Sequence, residues 1–225
     1  MATIHGVAGE WARVKGTVVG LWPLFLGVFA IGFSVAMFAF LSMLWGAILL
    51  VSSMAYTGWS LAAGVRHVES FFKGARGEEL VSGILRRLPD RYHVFNDFIA
   101  EGVHVDHVVV GPAGVFAVET KNWRAPVTIE DGCILADGCL PSRPPLTQVL
   151  REAALVKSTL ARAGWIGDVT PVLAFASDTF RAGRAELNGA VILNANELLG
   201  AFETNRVVLP YGDLERLVGL MENIA

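Results

Sequence analysis

Residues 105–123 read VDHVVVGPAGVFAVETKNW, two β-branched and aromatic runs around Gly111-Pro112-Ala113-Gly114. Such runs flanking a short Gly/Pro segment predict a β-hairpin, with strands over 103–110 and 115–121. A four-residue loop sets the register: Val110 opposes Val115, Asp106 opposes Glu119 and His104 opposes Lys121. Because side chains alternate faces, Asp106, Glu119 and Lys121 are expected on one face. Facing carboxylates in strands otherwise built of Val, Ala and Phe repel unless positive charge lies between them. A divalent cation meets that need. Mg²⁺, or Mn²⁺ in its place, takes hard oxygen ligands and keeps several waters, so two carboxylates and a backbone carbonyl suffice. Lys121 points into the same space, where it can hold an attacking water or neutralise a phosphate.

The flanking sequence has the alternating helix and strand signals of an α/β domain. Leu80, Val81, Ile84, Leu85 and Leu88 form one helical stripe, predicting an amphipathic helix over 77–88 that ends at Pro89. Glu78 lies at the edge of that stripe and Glu79 points away. Strands are expected at 92–97, 169–177 and 190–193, with short ones at 127–130 and 134–136 around Asp131-Gly132. Pro144 or Pro145 opens a helix reaching about Ala163, and further helices are expected at 196–202 and 212–222. On the helix after Pro145, Gln148 sits off the apolar stripe of Leu146, Val149, Leu150 and Ala153. His104 and His107 read as packed or hydrogen-bonded histidines rather than ligands, with His107 on the face opposite Asp106.

Gly77-Glu78, the run from Val105 to Trp123 and PLTQ at 145–148 together resemble the NERD (nuclease-related) domain of bacterial and some plant and archaeal proteins. The resemblance covers about Lys73 to Leu199. It implies the restriction-endonuclease-like fold of the PD-(D/E)XK superfamily, a mixed sheet flanked by helices, and a role in DNA processing. Asp106, Glu119 and Lys121 fall on the family's acid and E-x-K positions, Glu78 on the glutamate of the preceding helix, and Gln148 on P-x-x-Q. Val105 stands where the superfamily's proline precedes the acid. The resemblance thus implies Glu78, Asp106 and Glu119 as ligands of Mg²⁺ or Mn²⁺. Lys121 would assist the attacking water and Gln148 would orient a phosphate. DNA is the expected substrate, with RNA the alternative. A catalytically inactive binding or scaffolding module at the membrane is the competing reading, and a cap on an oligomeric hairpin a third.

The 225-residue chain has a mean hydropathy of +0.51 and is 53% hydrophobic, too apolar for a soluble domain alone. The excess lies in residues 16–65, fifty positions without Asp, Glu, Lys, Arg, His, Asn or Gln. One membrane-spanning helix needs roughly 20 apolar residues, so this run fits two. Spans are expected at 17–37 and 41–63, with the turn near Phe40 to Ser42. A cleavable signal has an apolar core of only about 7–15 residues, which favours retention. The expected organisation is a basic lead-in at 1–16, a transmembrane hairpin at 17–65 and a NERD-like domain at 66–225. Residues 64–225 carry 16 basic and 20 acidic side chains, a balance that gives no bulk attraction to a polyanion. Cys133 and Cys139 read as thiols. There is no G-x-x-x-x-G-K-[ST] loop, G-x-S-x-G elbow, H-E-x-x-H or paired C-x-x-C.

Arg13 and Lys15 precede the apolar run, and Arg66, His67, Lys73 and Arg76 follow it. The positive-inside rule then places both ends in the cytoplasm of a bacterial cell, with the hairpin in the inner membrane. Reporter fusions at Met1 and Ala225 should both give cytoplasmic signals; a periplasmic signal at Ala225 would overturn the hairpin.

Overall fold

The computed structural model describes residues 1–40, 42–202 and 208–224, apart from the side chains of Arg66 and His67. The chain divides into two units, Glu10–Ala75 and a second made of Met1–Gly9 with Arg76–Ala225.

The first unit consists of helix α1 (Glu10–Phe40) and most of α2 (Met43–Leu85). Leu41, within the expected turn, lies outside the described residues. Both helices are long and apolar enough to cross a membrane, and only 11% of the most apolar window of each is buried. Phe29 is 75% exposed and Trp59 69%, whereas the core helix of a soluble protein would hide such side chains. The helices meet along small residues. Gly16, Gly20, Gly27 and Ser34 are the buried positions of α1's apolar stretch. A Cβ added at Gly27 would lie 2.3 Å from the Thr57 hydroxyl, and one at Gly20 2.3 Å from Val68. Such seams let helix backbones approach closely where apolar surroundings supply no hydrophobic drive. On α2, Gly46 abuts Phe38, whereas Gly58 faces open space.

The second unit is a mixed seven-stranded sheet flanked by helices, consistent with a nuclease-like fold. Its strands are β1 (Thr3–His5), β2 (His93–Ala100), β3 (Val103–Gly111), β4 (Gly114–Lys121), β7 (Val169–Phe175), β8 (Arg184–Leu187) and β9 (Ala190–Asn194). They lie in the order β1-β2-β3-β4-β7-β9-β8. β5 (Val127–Glu130) and β6 (Cys133–Ala136) form a separate hairpin. β2, β3 and β4 are antiparallel; β4, β7 and β9 are parallel. Helix α3 (Pro145–Arg162) and helix α5 (Tyr211–Glu222) share one core with Phe98, Val108, Val115 and Ala117. The end of α2, through Val81 and Leu85, shares another with Val94, Val109, Val118 and α4 (Leu198–Phe202).

Within the lead-in, Thr3–His5 pairs in parallel with His93–Phe95 as an edge strand. One expectation is corrected here. The amphipathic helix expected over 77–88 is the end of α2, whose helical run stops at Leu85 rather than at Pro89. β8 was not anticipated, because Arg-Ala-Glu-Leu is too short and polar to stand out. Cys133 and Cys139 are free thiols.

Asn194, at the end of β9, fastens the segment after β7. Its Oδ1 accepts from the Phe180 amide at 3.0 Å and its Nδ2 donates to the Phe180 carbonyl at 2.8 Å, all buried. Asn194→Ala would strand a buried backbone donor and acceptor. The expected loss is about 2–4 kcal/mol of folding stability, read from urea denaturation of the full chain in detergent.

Candidate metal centre and active site

The β3–β4 hairpin follows the expected register from Gly111–Gly114 to His107–Val118, where the ladder stops. One residue further, the Asp106 carboxylate replaces a backbone partner, its Oδ2 accepting the Thr120 amide at 2.8 Å. The expected His104–Lys121 pair lies beyond the end of the β3–β4 ladder and is not made; on the other side of β3, His104 aligns with Ile99 of β2. Strict alternation also fails at this point. Phe95 and Phe98 belong to one core, as do Val105 and Val108, although each pair is three residues apart. The slip coincides with Asp97, whose φ of 53° is left-handed. Asp tolerates that conformation better than most residues. The convergence of acids thus owes as much to this break as to the hairpin.

Glu78 arrives from α2. Gly77 lets the helix approach the end of β4, for a Cβ there would lie 2.8 Å from Asn122. Glu78 is buried, and one candidate ligand atom from each of Glu78, His104 and Asp106 lies within 4.8 Å of the others. His104 Nε2 is 2.8 Å from Asp97 Oδ1, and its Nδ1 is 3.5 Å from Asp106 Oδ1.

Glu119 and Lys121 form an ion pair on β4. Gln148 of α3 reaches it: its Oε1 accepts from Lys121 Nζ at 2.9 Å, and its Nε2 donates to Glu119 Oε1 at 2.7 Å. The same Nε2 donates to Glu152 Oε1 at 2.8 Å. Two carboxylate acceptors on the Nε2 side fix the amide orientation, so the carbonyl must face Lys121. Glu152, buried one helical turn beyond Gln148, was missed by sequence reasoning. Its signal was the i, i+4 spacing from Gln148, which puts both on one helix face.

The electrostatics follow from this crowding. Burial, offset in part by His104 and reinforced by Asp97, pushes the Glu78 carboxyl up to about 7. Burial, with Glu119 and Glu78, holds Asp106 well above the ordinary aspartate value. Burial and the neighbouring Glu119 push Glu152 up to about 9. Burial would lower Lys121, but the Glu119 charge and hydrogen bond, with Asp106 and Glu152, outweigh it and leave the ammonium favoured. One oxygen each of Glu78, Glu119 and Glu152 is buried without a hydrogen-bond partner. Glu78, which has one such oxygen and is grouped with Asp106 and the His104 imidazole, suits a divalent cation in both charge and donor type. His107 stands outside this group. It is fully buried, with Nδ1 2.8 Å from Asn96 Oδ1, and burial lowers it to about 3.

Residues 73–176, just under half of the chain, match the family model described as nuclease-related domain. An uncharacterised protein of Bacillus anthracis is 37% identical over 65 residues, covering 26% of this chain and 30% of the relative's length. No solved structure matches the chain. A nuclease-related domain suggests nucleic-acid binding, and the acidic cluster suggests a divalent metal. Residues 73–176 of this chain are a NERD domain.

Proposed function

We propose that the chain is a metal-dependent nuclease that hydrolyses phosphodiester bonds in DNA, tethered to the cytoplasmic face of a bacterial inner membrane by its apolar hairpin. The observation that carries this reading is the grouping of Glu78 with Asp106 beside the Glu119–Lys121–Gln148 network, drawn from the four elements α2, β3, β4 and α3 of a nuclease-related domain. Glu78, Asp106 and Glu119 would hold Mg²⁺ or Mn²⁺, which when bound supplies Lewis-acid stabilisation of phosphate charge and acidifies a bound water.

The protein's own groups do the rest. Lys121 is kept cationic by its acidic neighbours, so it serves as a donor to an attacking water or to a phosphate oxygen and is no general base. Gln148 Oε1 and Glu119 Oε1 both accept from the ammonium and so hold it in place. Membrane attachment is supported by the length and apolar composition of α1 and α2, and an even number of spans would keep Met1–Gly9 with Arg76–Ala225, which belong to one unit. The domain boundaries proposed are the lead-in at 1–16, the hairpin at 17–65 and the NERD domain at 66–225, with β1 an outlier that joins the last.

Two measurements test this reading. Glu78 and Glu152 retain protons to higher pH when folded than when unfolded. Their contribution to stability is complete below the ordinary glutamate value and is lost as pH rises through about 7 and about 9 respectively. Thermal stability of the metal-free chain should therefore fall between about pH 5 and pH 8. Asp106→Asn, which keeps an acceptor for the Thr120 amide, should raise it at the upper pH and abolish the gain from added Mg²⁺ or Mn²⁺. The second measurement is single-turnover cleavage of linear, nicked and single-stranded DNA, and of RNA, by the full chain in detergent. Lys121→Met should lose roughly 10³-fold in rate, about 4 kcal/mol of transition-state stabilisation, while still binding metal. Equal rates for wild type and variant would remove the activity from this site.

A further inference from the structure

His104 has no part in the carboxylate ligand set, yet it belongs to the cluster. Its Nδ1 side looks onto Asp106 Oδ1 at 3.5 Å, and it joins Glu78 and Asp106 within the 4.8 Å group. Its opposite nitrogen, Nε2, is anchored 2.8 Å from Asp97 Oδ1. A carboxylate bound to the far nitrogen is the arrangement that orients metal-bound imidazoles and raises their basicity. Asp97 holds it from a left-handed backbone, φ 53°, inside a β-strand. Backbone strain of that kind persists where surrounding structure maintains it, and it concentrates at functional sites. Glu78, more than nine-tenths buried, adds an oxygen with no hydrogen-bond partner.

Resting on the divalent-metal reading above, we infer that His104 ligates the metal through Nδ1, buttressed by Asp97, giving a mixed nitrogen–oxygen site with Glu78 and Asp106 that takes a first-row transition-metal dication in preference to Mg²⁺. The chemical reason is ligand preference. Mg²⁺ favours oxygen donors and rigid octahedral geometry, whereas an imidazole nitrogen adds affinity along the transition series. Lys121 and Gln148 are already engaged with Glu119 on the neighbouring strand, which leaves the His104 side to provide this selectivity.

The test uses the full chain in detergent, loaded with Mn²⁺, and reads metal coordination rather than cleavage. Pulsed electron paramagnetic resonance should show imidazole nitrogen-14 coupling to the bound Mn²⁺. It should vanish in His104→Gln and persist in Asp97→Asn, a substitution compatible with the left-handed backbone. Mn²⁺ should resist displacement by roughly a hundredfold excess of Mg²⁺, His104→Gln should lose most of that preference, and Asp97→Asn should weaken Mn²⁺ affinity by about tenfold or more. Bound Mn²⁺ without nitrogen coupling in wild type would overturn the role of His104 and leave the carboxylate centre standing. No Mn²⁺ binding at all would overturn both. The wild-type measurement decides the matter even if a variant fails to fold.

Discussion

Four carboxyl groups, Glu78, Asp106, Glu119 and Glu152, are buried together with a single lysine among them. Taking like charges out of water is costly, and the molecule meets that cost in three ways. Lys121 neutralises Glu119, a backbone amide and the Gln148 side chain donate hydrogen bonds, and the raised proton affinities of Glu78, Asp106 and Glu152 favour their uncharged forms. Much of the surrounding architecture serves to hold this group against its own repulsion. Gly77 brings α2 close enough to deliver Glu78, the end of the β3–β4 ladder frees Asp106 to bind the Thr120 amide, and α3 presents Gln148 and Glu152 from the other face. A buried carboxylate group with an adjoining imidazole suggests a place for a divalent metal.

The hairpin and the site were legible for the same reason: both are written in short-range patterns. Gly111–Gly114 fixes the loop, and the pairs from Val110–Val115 to His107–Val118 follow from it. The two apolar helices are equally local, since fifty residues without a strongly polar side chain have few alternatives. What pattern could not supply was the slip in alternation at Asp97 and Asp106. It depends on one residue adopting a left-handed conformation inside a strand, which no periodicity signals. Hence His104 was assigned a place opposite Lys121, whereas it turns toward Asp97 and the Glu78–Asp106 pair.

The missed members share another cause. Glu152 on α3 reads as an ordinary surface glutamate until the helix is docked on the sheet, and its burial is a tertiary fact. β1 is three residues of mixed character, and it becomes a strand only because β2 offers an open edge to it. Short edge strands gain their stability from the sheet they join, so their own sequence carries little of the information.

That small strand has a consequence for how the protein is made. Thr3–His5 leaves the ribosome first, but its partner His93–Phe95 follows only after the whole apolar hairpin has been synthesised. Pairing them closes a loop of some ninety residues, an entropic cost that grows only slowly with loop length. Where the hairpin spans a bilayer, the two segments can meet only after both helices have crossed and the chain has come back. For a hairpin that spans a bilayer, completion of the sheet edge would depend on full insertion: a chain threaded only once would keep β1 and β2 on opposite sides and expose an unpaired strand edge, the kind of surface that marks a protein for aggregation or proteolysis.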